Sequence, residues 1–131
     1  MNEKYGFTND QWEKAKEEMR QVLMATARKR GIIPYSELVA RVETIRIKPE
    51  SQALAAMLGE ISRQENASGR GMLTVLVVHK SGDYQPGPGF FELAKELGRD
   101  TSDLVRCWVE ELKKVHDCWA SLSSSTNRDD H

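Results

Sequence analysis

The chain has 131 residues, 39% apolar and 30% charged, with a formal net charge of −1. Those values fit one globular domain over 1–131 and exclude a disordered polymer or a protein wrapped in a global basic field. No apolar run approaches the roughly 20 residues of a membrane-spanning helix, the longest being Met72–Val78 with Thr74 inside it. The opening Met1-Asn2-Glu3-Lys4-Tyr5 lacks the basic-then-apolar order of a secretion signal, so a cytoplasmic protein without a membrane partner is expected.

The first helix is announced by a capping box, Thr8 with Gln11 three residues on, and by a hydrophobic staple between Phe7 and Trp12. Trp12, Ala15, Met19, Val22, Leu23 and Thr26 then repeat at helical spacing and predict one core-facing stripe. Arg28-Lys29-Arg30 ends the helix where the macrodipole favours cations, and Gly31 is the expected left-handed residue after it. Ile32-Ile33 before Pro34 reads as a short extended bridge. Ser36 is the expected N-cap of a short helix, Glu37–Glu43, with Leu38, Val39 and Val42 inward.

A second full helix is predicted from Pro49 or Glu50 to Gln64, burying Leu54, Met57, Leu58 and Ile61. After the turn-rich Asn66–Gly71, the run Met72–His79 is the clearest strand and, being apolar throughout, should be covered on both faces. Lys80–Gly89 holds five Gly or Pro residues in ten and reads as a loop. A short helix, Phe90–Leu97, ends at Gly98. The last helix runs from about Ser102 to Trp119, with a seam of Leu104, Trp108, Leu112, Val115, Trp119 and Leu122. The ordered core is expected over about 7–120, with 121–131 a frayed polar tail. Cys107 and Cys118, eleven residues apart on that helix, would lie roughly 16 Å apart and cannot form a disulfide within the chain.

The element order predicts an α/β, mostly α domain: a winged-helix-like arrangement with long N- and C-terminal helices and a small sheet. Gly31-Ile32-Ile33-Pro34-Tyr35-Ser36-Glu37-Leu38 and the run Leu73–His79 leading into Ser81-Gly82 resemble the DNA-binding domain of alkylguanine-DNA alkyltransferases and alkyltransferase-like proteins. In that family the helix after the opening segment reads DNA through its minor groove, and a strand carries a reactive cysteine in Pro-Cys-His-Arg. Here the cysteine position falls near Thr74 and the next two are Val75-Leu76, while Ala53-Leu54-Ala55-Ala56 stand where the family inserts an arginine into the duplex. The resemblance covers about residues 28–90, and only Tyr35 carries over, so it implies a binding domain without the alkyl-transfer reaction. Pro86–Ala94 together with Leu58–Ser62 also looks like a group of small bacterial proteins without an assigned activity.

From Arg20 to Lys48, seven basic residues (Arg20, Arg28, Lys29, Arg30, Arg41, Arg46, Lys48) stand against Glu37 and Glu43, a local excess of +5. With the second helix, and with Lys80 where the Gly/Pro loop acts as a wing rather than a structural connection, this gives the expected DNA-binding set: Arg28, Lys29, Arg30, Tyr35, Arg46, Lys48, Ser51, Gln52, Arg63 and Lys80, bonding phosphates or base edges of double-stranded DNA. Two alternatives accompany it. Ala55 and Gly59 are small enough to seat the final helix instead of a groove, and the tryptophan-bearing final helix suits a homodimer or another protein partner. Catalysis is not expected: His79 has no nucleophile or carboxylate beside it in sequence, and His116 and Cys118 fall on different helix faces. Phe90-Phe91 follows the glycine loop where a phosphate-binding lysine would be needed, so neither a metal nor a nucleotide cofactor is expected.

Overall fold

The structure is a computed structural model describing residues 3–49, 51–79 and 88–129. It is mostly helical, with two small two-stranded sheets. A hairpin of β1 (Glu3–Lys4) and β2 (Phe7–Thr8) turns through Tyr5 and Gly6, both at positive φ, as a two-residue hairpin loop requires. No turn signal of the Asn-Gly kind marks it in the sequence.

Helix α1 (Asn9–Arg28) starts as its residues dictate. The Thr8 hydroxyl accepts from the Gln11 amide at 3.1 Å, and the Gln11 side-chain oxygen accepts from the Thr8 amide at 2.9 Å. Trp12, Ala15, Met19, Leu23 and Ala27 are buried along one stripe, with Val22 and Thr26 half-buried beside it. At its end the expected roles shift by one residue. The Arg30 amide donates to Ala27 and the Gly31 amide to Thr26, a Schellman pair in which Arg30, not Gly31, is left-handed at φ 56°.

β3 (Ile33–Pro34) pairs in parallel with β4 (Val77–Val78), Ile33 opposite Val77. Helix α2 (Tyr35–Ala40) begins earlier and is shorter than expected: Pro34 is its cap and Ser36 lies inside its first turn. Helix α3 (Gln52–Ala67) starts later than expected because Ser51, not Pro49, caps it, accepting from the Leu54 amide at 3.2 Å. Helix α4 (Pro88–Glu96) and helix α5 (Leu104–Asp129) complete the chain, and the α5 backbone stays helical ten residues past Trp119.

The run Met72–His79 is not a continuous strand. Leu73–Leu76 is a 3-10 turn, and only Val77–Val78 pairs with another strand. The apolar run records burial on all sides, which it has, rather than β conformation, and composition cannot separate the two. A buried segment with so short a strand partner must satisfy its backbone otherwise. The Val75 amide donates to the Met72 carbonyl, the Val75 carbonyl accepts from the Trp108 indole at 3.1 Å, and the Met72 amide donates to Glu111 at 2.7 Å. Gly71, at φ 87°, makes that last contact possible, because a Cβ there would come within 3.1 Å of the Glu111 carboxylate and of Val115.

The core lies between α1, α3, α5 and this segment, with Trp12, Met19, Leu23, Met57, Ile61, Met72, Leu73 and Leu76 fully enclosed. The α5 seam is rotated from the expected one. Cys107, Glu111, Val115 and Trp119 face inward, Trp108 and Leu112 flank them, Leu104 is exposed, and Leu122 lies outside the described side chains. No helix among the described residues is long and apolar enough to cross a membrane.

Candidate functional site

The segment joining α2 to α3 is irregular, with bends at Thr44 and Ile45, and alternates between buried and exposed from Ile45 to Lys48. Val42, Ile45 and Ile47 are buried, and Glu43, Arg46 and Lys48 point out. Its inner side is pinned by Glu18, whose carboxylate accepts from the amides of Glu43 and Thr44 at 3.2 and 3.1 Å. Its far end is fixed where the Ser51 hydroxyl donates to the Lys48 carbonyl at 2.8 Å and caps α3. Arg46 and Lys48 therefore project into solvent beside a helix N-terminus whose first turn carries no acid.

Four of the other five cations of the +5 segment are engaged by groups of the protein itself, although Arg28, Arg30 and Arg41 stay exposed. Arg20 bonds Glu65 at 2.9 Å, Arg41 bonds Glu37 at 2.9 Å, and Arg30 reaches across to Asp117 of α5 at 2.9 Å. Arg28 lies over the Trp119 ring, 5.6 Å from its centroid. Among the described residues, only Lys29, Arg46 and Lys48 of the seven make neither a carboxylate contact nor a ring contact.

Four other expected contacts, Tyr35, Ser51, Gln52 and Arg63, come together on one groove of about 750 Å³ between α3 and α4. Ala55 and Gly59 also line it, so these small residues open a groove rather than seating α5. Arg63 is engaged across it by Glu96, at 3.1 Å. Tyr35, at the first position of α2, packs its ring on His79, with centroids 4.8 Å apart. Lys80 and the Gly/Pro loop up to residue 87 lie outside the described residues. Sequence reasoning missed the α4 wall of the groove, Phe90, Leu93, Glu92 and Glu96, since nothing in the spacing of that helix announces an opposing face.

The buried polar groups serve the scaffold. Glu65, 2% exposed, receives both Arg20 and Arg70, and Glu111, 4% exposed, receives Arg99 and the Met72 amide. Burial pushes both carboxyls up, but the guanidinium hydrogen bonds and charges outweigh it and hold each below the usual carboxylate range. Burial, with the nearby Glu111 charge, pushes the Cys107 thiol up, the opposite of an activated nucleophile. His116 is tied to the Gly31 carbonyl at 2.9 Å. Among the described residues no hydroxyl, thiol or carboxylate hydrogen-bonds the His79 ring, whose recorded contact is the Tyr35 ring.

Neither known protein families, nor curated proteins, nor solved structures contain a match to this chain.

Proposed function

We propose that the chain is a non-catalytic DNA-binding domain of winged-helix character, anchored to duplex phosphates by Arg46 and Lys48 and by the N-terminus of α3. One observation carries the reading: these two cations stand at exposed positions of a pinned segment, without carboxylate partners among the described residues, next to a capped helix whose first turn carries no acid. Ser51 and Gln52 continue that surface onto the helix. Arg28 and Arg30 are secondary, because each is occupied by α5, and Arg63 is neutralised by Glu96.

The test is a titration of a labelled duplex at low and physiological salt. Affinity should fall steeply with salt, because phosphate neutralisation releases counterions. Arg46→Glu with Lys48→Glu should weaken binding at least about tenfold and flatten the salt slope by about two, one per lost phosphate contact. Reversing Arg28, Lys29 and Arg30 together should cost less. A salt-independent signal, or binding untouched by the Arg46/Lys48 reversal, overturns the reading.

A second reading, an interaction module, draws on a separate feature. Leu104, Val105 and Val109 on α5 are 48, 53 and 49% exposed, an apolar strip that the domain leaves uncovered.

A further inference from the structure

The groove between α3 and α4 is chemically unlike the surface proposed for DNA. It extends along α3 from Gln52 to Arg63, about 16 Å at the helical rise, and its volume of about 750 Å³ lies within the range that encloses an organic ligand. Its walls are mainly apolar: Ala55 and Gly59 on α3, Phe90 and Leu93 on α4, with the Tyr35–His79 ring pair on the same lining.

The charges on that lining are unbalanced. Arg63 is consumed by Glu96 across the groove, which leaves Glu92 without a cation among the described residues. An anion entering here would meet that carboxylate, and no cation among the described lining residues is free to receive it. A neutral apolar guest would leave the exposed Glu92 charge beside it unanswered. A cation with an apolar body answers both conditions: its charge pairs with Glu92, the aromatic faces attract it, and its carbon skeleton covers the apolar walls. We propose that this groove is a binding site for an organic cation of the quaternary-ammonium or aromatic-amine class, centred away from Arg46 and Lys48 although Ser51 and Gln52 border both surfaces.

The intact protein can be titrated by NMR chemical shift with three probes of similar shape: benzyltrimethylammonium, its uncharged isostere neopentylbenzene, and phenylmethanesulfonate as the anionic control. The cation should bind about tenfold tighter than either of the others, which is the scale of one exposed ion pair added to a cation–π contact. Glu92→Gln should shrink that preference to about threefold or less. Ala55→Trp, at an exposed helical position that tolerates a large side chain, should fill the groove and abolish binding while circular dichroism reports the fold unchanged. Arg46→Gln with Lys48→Gln, which adds no negative charge, should weaken duplex binding but leave cation affinity within about twofold, so this result and the DNA result fail independently. Equal affinity for the three probes overturns the charge assignment. Absence of binding, or binding that survives Ala55→Trp, overturns the site.

Discussion

Arg99 grips Glu111 with both arms of its guanidinium, Nε to one carboxylate oxygen at 2.9 Å and a terminal nitrogen to the other at 3.0 Å. The same guanidinium donates to Asn66 at the end of α3 and to the Leu97 carbonyl, while Glu111 accepts the Met72 amide. One ion pair thus ties α3, the 3-10 turn, the end of α4 and α5 together. Removing one partner strands a buried charge, so Arg99→Ala should destabilise by about 3–5 kcal/mol in denaturant titrations, whereas Arg99→Met with Glu111→Leu should cost less, about 1–3 kcal/mol for the buried Met72 amide that loses its acceptor. If the single and double variants unfold alike, the pair is not holding these elements.

The pH dependence follows from the sign of the shift. Glu65 and Glu111 both have folded values held below the ordinary 4.5, so the unfolded chain takes up their protons first on acidification. Their stabilisation is complete above the ordinary carboxylate range and is lost progressively as pH falls below it towards the folded values. Unfolding free energy should therefore fall as pH is lowered beneath about 4.5, and the fall should be shallower in Arg99→Met with Glu111→Leu. An identical acid profile in the two proteins would remove Glu111 from the account.

Helix ends give a local test. Arg30 occupies at φ 56° the position that Gly69 and Gly98 occupy after α3 and α4, at 81° and 92°. A non-glycine residue there costs about 1 kcal/mol. The Arg30–Asp117 contact complicates the substitution, so the clean measurement is made in an Asp117→Asn background. There, Arg30→Gly should raise stability by about 1 kcal/mol. A loss instead would mean that the arginine stem packs against α5 strongly enough to outweigh the backbone.

How much of this was legible in the sequence follows from what each signal encodes. The α1 start was fully legible because Thr8 and Gln11 bond only to their own turn. The α1 end was misplaced by one residue because Gly31 looks left-handed in isolation, while the hydrogen-bond pattern puts that geometry on Arg30. Met72–Val78 gave its burial correctly and its conformation wrongly, since every side chain is enclosed whether the backbone is a strand or a 3-10 turn. The basic segment was legible as composition only: which of its cations remain exposed depends on Glu65, Glu37 and Asp117, and two of these lie far along the chain. Glu92 and Phe90 were invisible as groove residues because α4 meets α3 only through the fold.

The buried hydroxyl pair of Ser62 and Thr74 joins α3 to the 3-10 turn. Ser62→Ala leaves the Thr74 hydroxyl buried without its partner and should cost about 1–3 kcal/mol, while Ser62→Ala with Thr74→Val should recover part of the loss, since no polar atom is then stranded. A double-mutant cycle in denaturant measures the coupling. Strict additivity would show that the two hydroxyls do not depend on each other.

The α5 strip separates the two functional readings. Val105 and Val109 are about half exposed and lie four residues apart on one face, so replacing both with lysine should leave folding stability within about 0.5 kcal/mol. If that face joins two copies, light scattering should show a wild-type dimer and a monomeric variant, with duplex binding weakened only as far as it depends on having two copies. If the wild type is already monomeric at the highest attainable concentration, self-association is not what the strip is for. DNA binding through Arg46 and Lys48 then stands on a single chain, and its salt dependence should be the same in the wild type and in the lysine variant after allowing for the two added charges.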